Sequence, residues 1–259
     1  MPLYRDEGLV LRTHRLGEAD RIITVFTRSH GKIRTVAKGV RRTKSRFGAR
    51  LEPFSHVDIQ CHIGRSLDVV TQVECLHAYG SVLSANWRAW TSGQAMLEAA
   101  DRIVSEDREP AAAHYLLLLG ALNALATGTR EPSLALDAYL LRACALAGYA
   151  PALTECVGCG RTEGLGWFHV ASGGVMCAQC REPGAAAPAA DALTLMQALL
   201  TGDWAAAEAI DARHRGSVSG LVAAHLQWNL ERPMRSLAWF DRAGADPFAA
   251  DEPDAPEAR

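Results

Sequence analysis

The sequence lacks the motifs that identify common nucleotide-binding and hydrolytic enzymes. Gly31-Lys32 has neither the upstream glycine nor the following Ser or Thr of a phosphate loop. Gly158 and Gly160 are followed by Glu163, where a dinucleotide-binding turn needs a third glycine. A nucleophile elbow, a His-Glu-x-x-His helix and a zinc-deaminase signature are also missing. These absences predict that the chain is not an enzyme.

Long apolar runs are missing as well. The most apolar stretch, Tyr115 to Ala126, has 12 residues and includes Asn123. A membrane-spanning helix needs about 20 such residues. Arg5, Asp6 and Glu7 are charged where an export signal would be apolar. The sequence therefore predicts a cytoplasmic protein with no membrane partner.

The cysteines fit a reducing cytoplasm better than a disulfide framework. There are seven, an odd number, and four of them form two Cys-x-x-Cys pairs. The pairs are separated by 17 residues, which is within the spacing range of four-thiolate zinc sites. The predicted ligands of one structural Zn²⁺ are Cys156, Cys159, Cys177 and Cys180.

A redox dithiol and incidental cysteines are the alternative interpretations of these pairs. A thioredoxin-like site uses one pair in a βαβ context, and this segment has two pairs and no such context. Four thiolates also fill a tetrahedral zinc ion and leave no position for a reactive water. His169 is an alternative ligand, although its place in a predicted hairpin favours a structural role. Cys61, Cys75 and Cys144 lie in apolar patterns and are predicted to be core residues.

The formal net charge of −2 conceals two oppositely charged regions. Residues 1–80 carry 14 Lys and Arg against 8 Asp and Glu, a difference of +6. Residues 81–259 carry 13 against 21, a difference of −8. Such an asymmetry is typical of a chain whose basic part binds a polyanion.

The basic residues of the first region are concentrated between positions 21 and 50, which contain no acidic residue. A loop over 39–50 is predicted to be mobile and to bind phosphate groups, with Phe47 available to stack on a base. A solvated charged surface without a ligand is the simpler alternative. The predicted nucleic-acid-binding residues are Arg28, Lys32, Arg34, Lys38, Arg41, Arg42, Lys44, Arg46 and Arg50.

The apolar pattern predicts an α+β fold. Five short strands within residues 1–80 predict a small closed barrel, and helical spacing from Ser81 onward predicts an all-helical domain over 81–243. A zinc-binding insert is expected over 154–182. Residues 244–259 are acidic and contain three prolines, so they are predicted to be a disordered tail.

Several phrases of the sequence resemble the RecO family of bacterial recombination mediators. They are Gly8-Leu-Val-Leu-Arg12, Gly17-Glu-Ala-Asp-Arg-Ile-Ile-Thr-Val-Phe-Thr27, His30-Gly-Lys-Ile33, Ala37-Lys-Gly-Val-Arg-Arg42 and Leu51-Glu-Pro-Phe54. The helical domain and the four cysteines extend the resemblance over nearly the whole chain.

The resemblance implies that the barrel is an OB-fold and that the four cysteines bind zinc. It also implies a nucleoid-associated protein that binds single- and double-stranded DNA and anneals complementary strands. Its implied partners are RecR and the acidic C-terminal tail of single-stranded-DNA-binding protein, and its implied outcome is the loading of RecA. Arg41, Arg42 and Lys44 match the family's basic loop in position.

Two other functions remain open at the level of the sequence. A zinc-dependent nucleic-acid enzyme, such as a nuclease, would need carboxylate or His ligands and an open coordination position, and no such cluster is evident. A zinc-ribbon interaction scaffold without a DNA role would show no salt-dependent binding to DNA.

Overall fold

The computed structural model describes residues 2–105, 107–231 and 234–239. Five strands come first and are followed by four helices, a hairpin and four more helices. The strands are β1 (Leu3–Leu16), β2 (Asp20–Thr27), β3 (Gly31–Ala37), β4 (Ser55–His62), β5 (Asp68–Ala78), β6 (Leu165–His169) and β7 (Gly174–Cys177). The helices are α1 (Tyr79–Leu83), α2 (Trp87–Ile103), α3 (Ala112–Thr127), α4 (Pro132–Leu146), α5 (Ala190–Thr201), α6 (Trp204–Ala209), α7 (Arg215–Leu230) and α8 (Arg235–Trp239).

The first five strands close into a barrel with the strand order β1-β2-β3-β5-β4. The β3–β5 pair is parallel, whereas β1 pairs antiparallel with both β2 and β4. This five-stranded barrel is the arrangement of an OB-fold. The predicted α+β class, with a barrel followed by helices and a four-cysteine insert, is confirmed.

The barrel is apolar on its inside and partly apolar on its outside. On β2, Ile23 and Val25 belong to the interior cluster, whereas the neighbouring Phe26 belongs to the core of the helical domain. Successive side chains of a strand point to opposite faces, so one strand supplies both cores. Leu9 and Leu11 of β1 also pack into the helical core. The barrel is therefore joined to the helices by a continuous apolar core.

Phe54 is a central part of this junction. Its backbone is left-handed (φ 71°), its amide donates to the carbonyl of Val10 at 3.0 Å, and its ring lies 4.8 Å from that of Trp90. Gly93 makes room for the ring, because a Cβ atom there would lie 2.7 Å from Cε1 of Phe54. The close packing of α2 against the barrel thus depends on glycine at position 93, which has no side chain.

The segment between β3 and β4 differs from the mobile loop that the sequence predicted. Val40, Phe47 and Leu51 are buried in the barrel interior, and residues 48–51 form a short 3₁₀ turn. The segment 39–50 is therefore packed in part against the barrel, because Val40 and Phe47 within it, together with the adjacent Leu51, close one end of the barrel. The predicted disordered tail, 244–259, lies outside the described residues.

Asp137 is a buried carboxyl group between α4 and α7. Ser219 Oγ donates to its Oδ2 atom at 2.6 Å, and burial raises the pKa of Asp137 to about 7. Because the folded-state pKa lies above the unfolded-state value, this group favours folding most at a pH below its unfolded-state pKa. That contribution decreases as the pH rises towards 7 and is lost above it.

We expect the Asp137→Asn variant to be more stable than the wild type at pH 8, by about 2–4 kcal/mol, because it removes the cost of burying a charge. Urea unfolding at pH 5 and pH 8 would measure the difference. The wild type should lose more stability than the variant between these two pH values. If the free energy of unfolding changed by the same amount in both proteins between pH 5 and pH 8, the raised pKa of Asp137 would be contradicted.

Candidate metal centre and nucleic-acid interface

The four predicted zinc ligands come together in one cluster. Two tight turns, at 156–159 and 177–180, carry the cysteines, and the β6–β7 hairpin brings the turns side by side. The ligand atoms of Cys156, Cys159, Cys177 and Cys180 all lie within 4.8 Å of one another. Gly158 is needed for this approach, because a Cβ atom there would lie 2.9 Å from the Cβ of Cys180.

Backbone amides around the cluster favour thiolates. The amide of Cys177 lies 3.4 Å from Cys156 Sγ and is the largest cause that lowers the pKa of Cys156 to about 6. The pKa of Cys177 is also lowered, first by the amide of Cys180. The protonated Cys180 thiol donates hydrogen bonds to Cys159 first and then to Cys177, and these raise the pKa of Cys180 to about 12. Four thiolates at this separation repel one another unless a cation neutralises them, so the cluster fits a metal ion.

The other candidate ligand, His169, is directed elsewhere. Its Nδ1 atom lies 2.8 Å from Ser172 Oγ and 3.7 Å from a carboxylate oxygen of Glu182. The cluster therefore offers four sulfur atoms, the donor set of a closed tetrahedral zinc site. In general, a closed site of this kind stabilises the chain around it and has no position at which a water could be activated.

Eight of the nine predicted DNA-binding side chains are exposed. Six lie on the connection between β3 and β4 at one end of the barrel, and we call this surface the basic end. The basic end consists of Lys38, Arg41, Arg42, Lys44, Arg46 and Arg50. Arg34 follows on the outer face of β3.

Hydrogen bonds hold the basic end against the β1–β2 turn. The amide of Gly39 donates to Asp20 Oδ1 at 2.7 Å, and the amide of Arg41 donates to the carbonyl of Ala19 at 3.0 Å. The guanidinium group of Arg41 donates to the carbonyl of Glu18 at 2.8 Å. The charged surface is therefore presented on a backbone that the barrel holds in place.

Arg28 is separated from this surface. It lies at the β2–β3 turn, at the other end of β3, which is about 20 Å long at its seven residues. Its guanidinium group is 3.7 Å from the carboxylate of Glu7. The structure thus places Arg28 on a different part of the barrel surface from the basic end.

The structure corrects the prediction that Lys32 is one of the DNA-binding residues. Its residue is only 7% exposed, and its ammonium group donates to the carbonyl of Asp101 at 2.8 Å. The carboxylates of Asp101 and Asp107 lie 3.5 and 4.0 Å away. Lys32 therefore joins the barrel to α2 and the segment that follows it, and its charge faces protein carboxylates instead of solvent.

We expect Lys32→Met to lower the free energy of unfolding by about 2–3 kcal/mol, because it leaves a partly buried carboxylate with one partner fewer. DNA affinity should stay within about twofold of the wild type, since this charge already has protein partners. The control is Arg34→Met, which removes an exposed charge from the same strand and should weaken DNA binding without destabilising the fold. Thermal melts and DNA titrations of both variants would test these expectations. A Lys32→Met variant that loses DNA affinity while keeping its stability would refute the structural role of Lys32.

The structure also corrects the prediction that Phe47 is available to stack on a base. Its ring is 1% exposed inside the barrel, and the guanidinium carbon of Arg46 lies 4.8 Å from the ring centroid. The ring cannot stack on a base without opening the barrel, so it anchors the basic end instead. The sequence prediction missed this because an aromatic residue between basic residues fits either role.

Arg15 is a basic residue outside the predicted set. It is exposed near the end of β1, and its Cα partner on β2 is Arg21. Arg21 forms an ion pair with Glu52 at 2.5 Å, whereas Arg15 has no ion pair among the described residues. The pairing register brings Arg15 to the β1–β2 turn, against which the basic end is held, and no local sequence signal indicated this.

Within the described ranges, no helix is long and apolar enough to cross a membrane.

Comparison with known proteins gives consistent matches along the chain. Residues 1–79 match the family model described as "Recombination protein O N terminal", and residues 84–238 match "Recombination protein O C terminal". A "DNA repair protein RecO" from Thermobifida fusca (strain YX) is 57% identical over 243 residues, covering 94% of this chain and 100% of the relative. A protein of the same name from Streptomyces griseus subsp. griseus is 53% identical over 248 residues, covering 93% of this chain and 100% of the relative.

Proposed function

Because the chain belongs to the RecO family of DNA repair and recombination proteins, we propose that it is a DNA-binding recombination mediator. The observation that carries this proposal is the basic end, six exposed cationic side chains of one sign on an OB-fold. The relatives are named for a role in repair and not for a reaction. We therefore propose that the chain is a binding protein and not an enzyme.

The basic end and Arg34 bind the phosphate backbone of single- and double-stranded DNA in this proposal. Contacts with phosphate release counterions and do not depend on sequence. Neutralising two strands on one surface lowers their mutual repulsion, which favours annealing of complementary strands. With RecR, the protein then helps to load RecA onto DNA coated by single-stranded-DNA-binding protein in the cytoplasm, at the nucleoid. None of these steps needs bound ATP, in agreement with the missing phosphate loop.

A titration of fluorescent single-stranded DNA at several salt concentrations, with a strand-annealing assay alongside, tests this function. The mediator should bind with a steep salt dependence and should accelerate annealing. A nuclease would shorten the DNA, and an interaction scaffold would show neither binding nor annealing. Either of those two results would overturn the proposal.

The groove between α3, α4 and α6 is a suitable site for the acidic tail of single-stranded-DNA-binding protein. It has a volume of about 240 Å³ and an apolar lining that includes Leu116 and Tyr139. The guanidinium carbons of Arg130 and Arg142 lie 4.5 and 5.6 Å from the ring centroid of Trp204 at its edge. One terminal nitrogen of Arg142 is buried and has no hydrogen-bond partner among the described residues. A carboxylate of an acidic peptide would supply that partner.

We expect Leu116→Glu to weaken binding of a synthetic acidic tail peptide by at least about tenfold, because it adds a repelling charge to the lining of the groove. Leu116 is 53% exposed, so the substitution leaves the core intact. The matched control is Leu146→Glu, which changes an equally exposed leucine (46%) outside the groove. Fluorescence anisotropy of the labelled peptide measures both, and equal affinities would exclude this groove as the site.

Zn²⁺ is the proposed occupant of the four-cysteine cluster, where it holds residues 156–180 in their fold. Four sulfur donors within 4.8 Å of one another select a soft or borderline ion, and zinc is the common one that forms closed structural sites. The role is structural and separate from the basic end.

A further inference from the structure

A second groove, between the barrel and the last described helix, has no role in the proposed function. It has a volume of about 560 Å³ and lies between β1, α2 and α8. Its apolar lining includes Leu11 of the barrel and Trp87, Trp90 and Leu97 of α2. We call it the β1–α2 groove.

The rim of the β1–α2 groove is rich in arginine. Arg12, Arg102 and Arg235 line it, together with two acidic residues, Glu98 and Asp101. Arg12 is paired with Asp101 at 2.8 Å and Arg102 with Glu98 at 2.6 Å, so the positive charge left over is that of Arg235, which has no ion pair among the described residues. An apolar lining with a cationic rim fits a segment that combines aromatic and acidic side chains.

The chain itself continues with such a segment from the edge of the groove. Glu98 holds the start of α8 there, because its carboxylate accepts hydrogen bonds from the amides of Arg235 and Ser236 at 3.0 and 2.7 Å. Twenty further residues, 240–259, follow α8 and lie outside the described part of the chain. They contain six acidic and two basic residues, and Phe240 and Phe248 are their two large apolar side chains.

The reach of the segment permits docking. Phe248 follows Trp239 by nine residues, which span up to about 30 Å when extended, more than the groove requires. Intramolecular docking also has the advantage of a high effective concentration, so a weak contact is enough.

We propose that the β1–α2 groove holds residues 240–259 of the same chain, anchored by a phenylalanine, and that the docked acidic segment competes with DNA for the basic end. Arg12 of the groove and Leu16 at the β1–β2 turn are four residues apart on β1, about 13 Å. That distance exceeds the Debye length of about 10 Å at 0.1 M salt, so charges held in the groove would be largely screened from the basic end. Asp251, Glu252 and Asp254 follow Phe248 by three to six residues, about 10–20 Å of extended chain, and can therefore reach the basic end from a docked Phe248. The competition part of this inference rests on the proposed DNA-binding function, whereas the docking part does not.

The DNA-binding test uses three variants of the full chain. Phe248→Ser removes the anchor, and the triple variant Asp251→Asn, Glu252→Gln, Asp254→Asn removes three charges. Each of these two variants should raise the affinity for single-stranded DNA at low salt by about fivefold, because the competing segment is released or neutralised. The charge-matched control neutralises Glu155, Glu163 and Glu182, three exposed residues of the zinc-binding element, and should change the affinity by less than about twofold.

A groove variant provides the reciprocal test. Gln94 lines the groove, and Gln94→Glu should repel the segment and reproduce the effect of Phe248→Ser. The double variant should show no further gain, because both changes disrupt one contact. Additive effects, or no effect of Phe248→Ser, would overturn the competition.

The docking test does not depend on DNA. A full chain that carries the photo-crosslinking residue p-benzoylphenylalanine at position 248 should form crosslinks to α2 or β1 within one chain. Crosslinks to the α3–α4–α6 groove, to the basic end, or between two chains would overturn the assignment of the groove. Loss of DNA binding in every form, with the α2 crosslink intact, would instead refute the proposed function and leave the docking in place.

Discussion

Replacing Lys38, Arg42 and Lys44 with Glu is expected to lower the affinity for single-stranded DNA by about 100-fold at low salt, the largest effect on binding predicted for this protein. These side chains are exposed and form no hydrogen bond or ion pair with any other described residue. Their charges are therefore available to phosphate groups. Reversal removes three attractive contacts and adds three repulsive ones.

The salt dependence should change together with the affinity. Each phosphate contact on a single strand contributes about 0.7 to the slope of log K against log salt, so losing three contacts should reduce the slope by about 2. A lower affinity with an unchanged slope would indicate a folding defect instead of lost contacts. Titrations of the same oligonucleotide at four or more salt concentrations would supply both quantities.

The matched control reverses three exposed arginines of the helical domain, Arg161, Arg181 and Arg213. It changes the net charge of the chain by the same amount as the barrel variant. If binding depends on the basic end, the control should lose less than about tenfold, through the long-range field alone. Equal losses in the two variants would refute a local DNA-binding surface.

Replacing Cys156 and Cys177 with Ser is expected to release one equivalent of metal and to lower the melting temperature by about 10 °C, the largest effect on stability predicted here. The two residues come from different turns of the cluster, so the variant breaks both. Phe168 and Val175 anchor the β6–β7 hairpin in the helical core without the ion, so the lost stability should come from the two cysteine turns that the ion joins. Elemental analysis and thermal melts would measure the change.

Two controls separate loss of metal from loss of a cysteine. Cys75→Ser changes a half-buried cysteine outside the cluster and should keep both the metal and the melting temperature. Cys159 is exposed, so Cys159→His has room for an imidazole and should retain zinc in a Cys₃His site, whereas Cys159→Ala should not. A serine variant of Cys156 and Cys177 that is free of metal and melts at the wild-type temperature would contradict a structural ion.

The sequence predicted the elements whose signals are local. Period-2 alternation indicated the barrel strands, such as β4 with its alternating Val57, Ile59 and Cys61. Two Cys-x-x-Cys pairs at a defined spacing indicated the metal cluster, because a tight turn positions two ligands wherever it occurs. The helices were predicted from apolar spacing and from Pro132, which begins α4.

The roles of individual side chains could not be predicted in the same way. Lys32 and Arg34 are two residues apart on one strand, and both point outward, yet the helical domain covers only the first. Phe47 faces the barrel interior because the β3–β4 connection folds over the open end of the barrel. Burial of this kind depends on contacts between residues far apart in the chain, and a local pattern contains no information about them.

The sequence by itself therefore determined the barrel, the helical domain, the cysteine cluster and the sign of the charge on the barrel. Tertiary structure alone decided which of those charges face solvent, that Arg15 lies beside the basic end, and that apolar side chains on the outside of the barrel pack into the helical core. The physical reason is that strand alternation, helical periodicity and ligand spacing depend on near neighbours. Exposure and electrostatic partnership depend on how distant segments pack together.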